Sequence, residues 1–261
     1  MIPRLLYIPA MIGLALLVLP LGGLLLRVDW MTLPGVISSP EALRALGLSL
    51  ATATAATLLS FVLGVPLALC IARSGPRLGS LLRALVTVPL VLPPLVGGIA
   101  LLYLLGRGGL IGQYLDLAFG IRLPFTTAAV VIAQTFVAMP FLVISVEGAL
   151  RTAGIRYERV ASTLGAGPYF VFRNVTVPLV LPGLISGTVL CFARALGEFG
   201  ATALFAGNQD GVTRTMPLAI YTAFNGSGVT PDQAVALSLL LIAVAVIILM
   251  LVRGRGVELA R

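Results

Sequence analysis

The sequence predicts an all-α integral membrane protein with six spans, and three observations carry that reading. Hydrophobic residues fill 59% of the 261 positions and charged residues only 10%, a balance outside the range of soluble globular domains. Apolar runs long enough to cross a bilayer core, which takes about 20 helical residues, recur along the whole chain. The arginines gather between those runs and are unevenly divided between alternate connections.

The first run, Leu5 to Leu26, has the apolar character of a signal-peptide core, but it is long enough to span and is followed by no small-residue cleavage site. It is therefore expected to stay as a membrane helix. The second run covers Ala45 to Ala72 and carries Ser49, Thr52, Ala53, Ala56 and Ser60 on one face. Small residues in that pattern let helix backbones approach closely. The third, Ala84 to Leu105, contains "VPLVLPPLVGG", with Pro89, Pro93 and Pro94 ahead of Gly97 and Gly98. Such breakers bend a helix and are tolerated where it packs closely or lines a cavity; a bend beside a pathway and a static kink fit equally.

The fourth run, Thr127 to Leu150, includes the polar pair Gln134 and Thr135. The fifth, Pro178 to Leu204, holds Arg194 and Glu198 four residues apart, hence on one helix face. Ionisable groups at membrane depth are costly and normally face the bundle interior or a wet path. The pair either locks helix packing or, with Thr202, lines a pathway or gate. The sixth run covers Gln233 to Val252. Cys70 and Cys191 lie inside apolar runs and read as small buried hydrophobes. One membrane domain is expected: residues 1–40 as first helix and outer connector, 41–252 as the main bundle, 253–261 as a tail.

Net charge of +8 raises nucleic acid as a partner, but the distribution argues for topology. With the N-terminus inside, the inner segments carry eleven arginines: Arg4, Arg73, Arg77, Arg83, Arg151, Arg156, Arg159, Arg173, Arg253, Arg255 and Arg261. The outer segments carry five, Arg27, Arg44, Arg107, Arg122 and Arg214. By the positive-inside rule both termini are cytoplasmic. No aromatic platform interleaves with the charge, so no nucleic-acid binding is expected. The chain has no lysine and no histidine, which removes a Walker A phosphate site and Ser-His-Asp or His-ligated zinc chemistry. No convergent set of nucleophile, base and metal ligands appears in the spans, so no catalytic, cofactor-binding or metal site is expected. A secondary transporter would suit the intramembrane ion pair, but no internal repeat of the kind such folds often show is evident.

One connection is too patterned to be a mere link. "RYERVASTLGAGPYFVFRNVTVPL", residues 156–179, lies on the predicted cytoplasmic side between the fourth and fifth runs. Tyr157, Val160, Ala161 and Leu164 recur at i, i+3, i+4, i+7, one apolar face of a short helix. Gly165, Gly167 and Pro168 then break it. The ridge has to be buried against its own bundle, the lipid interface or a partner.

This stretch resembles the coupling loop of binding-protein-dependent ABC importer permeases, with its pattern E-A-A, three residues, G, nine residues, I-x-L-P. The register here is Arg159-Val160-Ala161, then Gly165, then Val175-Thr176-Val177-Pro178. Arg159 stands where the pattern has glutamate, and Glu158 lies one place upstream. Residues 88–112 and 192–221, the latter with "LGEFGA", are similar to molybdate permeases within that family. The resemblance runs from about Arg44 to Val252.

It implies a six-helix type I ABC importer transmembrane domain with a cytoplasmic coupling helix, working as a homodimer in the bacterial inner membrane. It further implies two cytoplasmic ATPase subunits that bind ATP and Mg, and an extracytoplasmic molybdate-binding protein. Glu158, Arg159, Val160, Ala161, Leu164 and Gly165 become the candidate contacts to the ATPase. Arg194, Glu198 and Thr202 become candidates for the pathway or gate, organising it rather than ligating an anion that Glu198 would repel. Tungstate and sulfate or thiosulfate permeases are the alternatives within the branch.

Overall fold

The computed structural model describes residues 4–226 and 231–258, and their side chains except at residues 4, 231, 249 and 251–258. The arginines expected at the two ends, Arg4, Arg253, Arg255 and Arg261, thus lie outside the described side chains. Among the described residues all regular structure is helical.

In chain order the helices are α1 (Tyr7–Leu26), α2 (Leu33–Ile37), α3 (Pro40–Arg73), α4 (Pro76–Val91), α5 (Pro94–Leu105), α6 (Gly112–Phe119) and α7 (Thr127–Ala153). There follow α8 (Arg156–Thr163), α9 (Pro168–Val171), a π-helical turn (Phe172–Thr176), α10 (Val177–Leu196), α11 (Gly200–Phe205), α12 (Met216–Asn225) and α13 (Pro231–Glu258). Helices α1, α3, α7 and the continuous run Pro168–Leu196 are each long and apolar enough to cross a membrane, and the bent pair α4–α5 makes a fifth candidate span. Helix α13 adds a shorter apolar stretch, Asp232–Ile248, so the described residues give four or five candidate spans where the sequence predicts six.

Local chemistry sets the ends of α3 and α7. Ser39 caps α3, its Oγ accepting from the Ala42 N–H at 3.2 Å, with Pro40 at the first helical position and Glu41 in the first turn. This is the arrangement that satisfies and charges a helix N-terminus well. Thr126 caps α7 in the same way, accepting from Ala129 N–H at 3.2 Å. At the other end Gly154, at φ +65°, stops α7, and Arg151 in its last turn complements the dipole.

Helix α7 is the spine. α3 and α10 both pack along it, and the shared core includes Ala53, Ala56, Leu142, Val143, Val146, Leu150, Cys191 and Ala195. Lipid tails are as apolar as this core, so burial alone does not drive association; close packing and hydrogen bonds do. Accordingly the contact is lined with small residues. The predicted face of α3, Ser49, Thr52, Ala53, Ala56 and Ser60, is buried throughout. On α10 a Cβ at Gly183 would fall 2.4 Å from the Ala149 Cβ, and Ser145 Oγ donates to the Gly183 carbonyl at 2.9 Å. Helix α1, by contrast, has no buried residue.

Three expectations change. The third span is not one helix: α4 and α5 fold by 112° at Leu92 and Pro93. Two consecutive prolines remove two N–H donors, and the residue before each is driven to extended backbone, as seen at Leu92 (φ −66°, ψ 134°). The fifth span ends at Leu196 rather than Leu204, because Gly197 to Phe199 interrupt it before α11. Cys70 is exposed, near the end of α3, whereas Cys191 is buried as expected.

Candidate functional site

Two groups of residues stand out, one at the end of the bundle that the arginine count assigns to the cytoplasm and one in the interior after α10. At the inner end, α8 is a two-turn helix with no buried residue. Its termination explains the glycine in the pattern. Gly165 takes φ +87°, its N–H donates to the Ser162 carbonyl at 3.1 Å, and the next N–H, of Ala166, donates to the Ala161 carbonyl at 3.1 Å. That pair of bonds is a Schellman closure, which needs a left-handed residue at this one position. The chain then reverses into α9, and Pro168 starts the new helix.

The predicted apolar ridge faces away from the chain: Tyr157, Val160 and Leu164 are 60%, 53% and 83% exposed. Ala161 is half-buried, and Arg156 and Arg159 are exposed. Packing on its own bundle, one of the three possible fates of this ridge, is therefore not what the fold does with Tyr157, Val160 and Leu164. Glu158 points the other way. Its Oε1 pairs with Arg73 Nη2 at the end of α3 and accepts from Thr176 Oγ1 at 2.8 Å. Of the six candidate coupling residues, Arg159, Val160 and Leu164 thus share the outward surface, Gly165 makes the turn, and Glu158 belongs to the inward side.

In the interior, Arg194 Nη2 and Glu198 Oε2 form an ion pair at 2.6 Å. Glu198, with its side chain 1% exposed, also accepts from the Ala201 N–H through Oε1 at 2.8 Å. It is held both by the end of α10 and by the start of α11. Thr202 is fully buried, and its Oγ1 has no hydrogen-bond partner in the protein. Gln134 on α7 is also fully buried with both amide atoms unpartnered, while Thr135 Oγ1 donates to its own helix at Val131 O, 2.7 Å away. Buried polar side chains are normally satisfied, so Gln134 and Thr202 are exceptions at the level of the bundle where α10 breaks off and α11 begins. A concavity of about 720 Å³ between α2, α3, α12 and α13 is lined by Ser39, Glu41, Arg214, Thr222 and Gln233 among others, and none of the candidate gate residues lines it.

Sequence reasoning missed three carboxylate clusters. Glu147, buried on α7 with its side chain 4% exposed, receives Arg83 Nε at 3.1 Å and Arg151 Nε at 2.7 Å. It joins α4 to α7 at the inner end. Asp116 on α6 receives Arg122 Nε at 2.9 Å and Arg107 Nε at 3.0 Å. The Arg122 hydrogen bond, with that of Arg107, holds this carboxyl below its ordinary range against an opposing effect of burial. Asp210 in the 207–215 loop pairs with Arg44 at 3.1 Å. The arginines were legible as a topology count, but their second use as ion-pair anchors was not. Within a helix, Glu147–Arg151 at i,i+4 spacing left a sequence signal.

Comparisons with known proteins agree on one setting. The family described as binding-protein-dependent transport system inner membrane component matches residues 60–258. The chain is 58% identical over 239 residues, 91% of its length and 89% of the relative's, to the molybdenum transport system permease protein ModB of Mycobacterium tuberculosis. It is 42% identical over 193 residues, 74% of this chain and 84% of the relative, to the protein of the same description in Escherichia coli K12. Among solved structures, the fold is similar to a chain of a bacterial ABC transporter involved in the import of the acidic polysaccharide alginate. The TM-score there is 0.76 at 17% identity, covering 98% of this chain and 96% of that one.

Proposed function

The chain belongs to the family of binding-protein-dependent transport system inner membrane components, and from that premise we propose that it works as the membrane permease subunit of a molybdate ABC importer. One observation carries the reading from fold to function. A helix at the inner end presents Tyr157, Val160 and Leu164 outward, exposed among the described residues, on a turn locked by Gly165. An apolar helix face left open at the membrane surface suits insertion into a groove of another protein. The relatives' transport of molybdenum supports the choice of cargo.

In this reading the pathway subunit hydrolyses nothing itself. Two copies of the chain form the path along their shared axis, in a bacterial inner membrane with both termini cytoplasmic. Two ATPase subunits bind ATP and Mg inside, and an extracytoplasmic binding protein delivers the oxyanion. ATP closes the ATPases, the two coupling helices move with them, and the bundles tilt from inward-facing to outward-facing. The oxyanion enters a wet cavity, and hydrolysis reopens the inner side. Arg194 and Glu198 neutralise each other, so together they present no net field to a dianion; their role is to join α10 to α11 at the gate. Oxyanion contacts fall instead to hydroxyls and backbone N–H groups, which hold an anion loosely enough to release it.

The test is uptake of labelled molybdate into vesicles carrying the chain, its ATPase and its binding protein, with and without ATP, and with sulfate and tungstate as competitors. ATP-dependent uptake that excess sulfate does not suppress is expected. Uptake that continues without the ATPase would remove the coupling role of α8 and return residues 156–179 to a plain connector.

A further inference from the structure

We propose that Glu158 is a positioning residue that ties the coupling helix to the bundle, the strut through which α8 moves α3 and α10, and not a contact to the ATPase. This rests on the importer reading above and assigns one of its residues to the opposite surface.

The geometry is specific. Helix α8 has few ways to transmit a push, because none of its residues is buried. Among the described residues, its side-chain polar contacts beyond its own helix all end on one atom, Glu158 Oε1. Arg73 Nη2 reaches that oxygen from the last residue of α3, and Thr176 Oγ1 donates to it at 2.8 Å from the last residue of the π-helical turn that feeds α10. Glu158 is 19% exposed and Arg73 33% at the side chain; Thr176 is 5% exposed. The site is thus sheltered enough for a charge-assisted bond to matter, unlike a fully solvated surface pair.

Both receiving elements lead into the spine, since α3 and α10 are the helices packed along α7. A displacement of α8 therefore cannot leave them in place without breaking an ion pair and a hydrogen bond on the same carboxylate. The π-helical turn has somewhere to go: an apolar cavity of about 170 Å³ lies behind it, lined by Phe172, Thr176 and Val177 with Val65, Leu69, Val146 and Leu150. Single-turn π segments inside helices recur at functional sites. Here the turn, the cavity and the strut share Thr176.

The experiment uses the complete transporter in vesicles and three variants: Glu158→Gln, Arg73→Gln, and the exchange Arg73→Glu with Glu158→Arg. Each is scored for ATPase subunit retained on purification, for molybdate taken up per ATP hydrolysed, and for hydrogen exchange of amides 156–164 in the full chain. The single variants are expected to keep the ATPase subunit but to lose about tenfold in uptake per ATP and in α8 protection, the factor that one charge-assisted hydrogen bond carries. The exchange variant should recover most of both. Loss of the ATPase subunit from Glu158→Gln would overturn the proposal by making Glu158 a partner contact. Unchanged coupling and protection in the single variants, or no recovery in the exchange, would overturn it equally. Should the wild-type complex fail to import molybdate at all, the importer reading falls, and the hydrogen exchange of α8, which needs no substrate, decides the strut by itself.

Discussion

Replacing Gly98 with alanine probes the close contact between α5 and α11, in the half of the bundle away from the coupling helix. A Cβ there would stand 2.9 Å from the Ala201 carbonyl oxygen, 3.0 Å from Ala201 Cα and 3.0 Å from Leu204 Cβ. The contact is reciprocal, since a Cβ on Gly200 would fall 2.8 Å from Pro94 Cβ. Two of the three neighbours of Gly98 are backbone atoms, which cannot rotate aside. Carbon pairs sit best at about 3.5–4.0 Å, so α11 has to withdraw from α5 by about half an ångström. Overpacking of this kind costs about 1–3 kcal/mol, and the better helix propensity of alanine returns up to about 1 kcal/mol. A net loss of about 1–2 kcal/mol remains.

The matched control is Gly47→Ala on α3, where an added Cβ meets nothing within 4 Å and only the propensity gain operates. Thermal unfolding of the purified full chain in detergent measures both. At about 2–4 °C per kcal/mol for a chain of this size, Gly98→Ala should melt about 2–8 °C below wild type, and Gly47→Ala at or above it. If Gly98→Ala melts as high as Gly47→Ala, the α5–α11 contact is looser than described and the reasoning fails.

Leu164→Asp places a charge on the most open residue of the coupling ridge, 83% exposed. It should leave the chain's melting temperature within about 1–2 °C, as surface changes do, yet abolish co-purification of the ATPase; retention of the ATPase would show that the ridge docks elsewhere. Asp116 offers a pH test. Because Arg122 and Arg107 depress its pKa, its contribution to the 107–123 loop is fully present above the ordinary carboxylate value of about 3.9 and is lost as pH falls through the lower folded value. Hydrogen exchange of that loop, corrected for intrinsic rates, should be flat between pH 7 and 5 and should rise only below about pH 3.9; a transition between 7 and 5 would refute the assignment.

The sequence was most readable where one residue's physics has one outcome. Pro93 and Pro94 announced a break, Gly165 announced a turn, and the small-residue face of α3 announced close packing; all three appear at those residues. It was least readable where two distant residues must meet. Whether "VPLVLPPLVGG" gives a mild kink or a 112° fold depends on what α5 packs against, here Ala201 and Leu204 of α11, and no local pattern holds that information. Glu158 shows the same limit inside the site. Helical spacing places it on the polar side of α8, but only the positions of Arg73 and Thr176, 85 and 18 residues away in sequence, turn it toward the bundle.

The distribution of these ties bears on how the chain can move as a transporter. At the inner end Glu147 locks α4 to α7, and Glu158 locks α8 to α3 and to the root of α10. At the other end Asp210 locks the 207–215 loop to α3, and Thr127 Oγ1 donates to Val212 O at 2.8 Å, joining the same loop to α7. Between them the contacts are small-residue and apolar, with the Ser145–Gly183 hydrogen bond between α7 and α10. Ion pairs and hydrogen bonds fix distances at the ends, and close packing of small residues holds the helices together between them. Helices α3 and α7 are therefore braced at both ends, and α10 at its root, within the α3–α7–α10 unit. The breaks at Pro93 and at Gly197 separate it from α5 and α11, the elements that carry Thr202 and face the Arg194–Glu198 pair. In the importer reading proposed above, a push delivered at α8 passes along the braced unit and is released at the breaks. In the same reading α5 and α11, packed against each other at Gly98 and Gly200, are the elements that move at the gate.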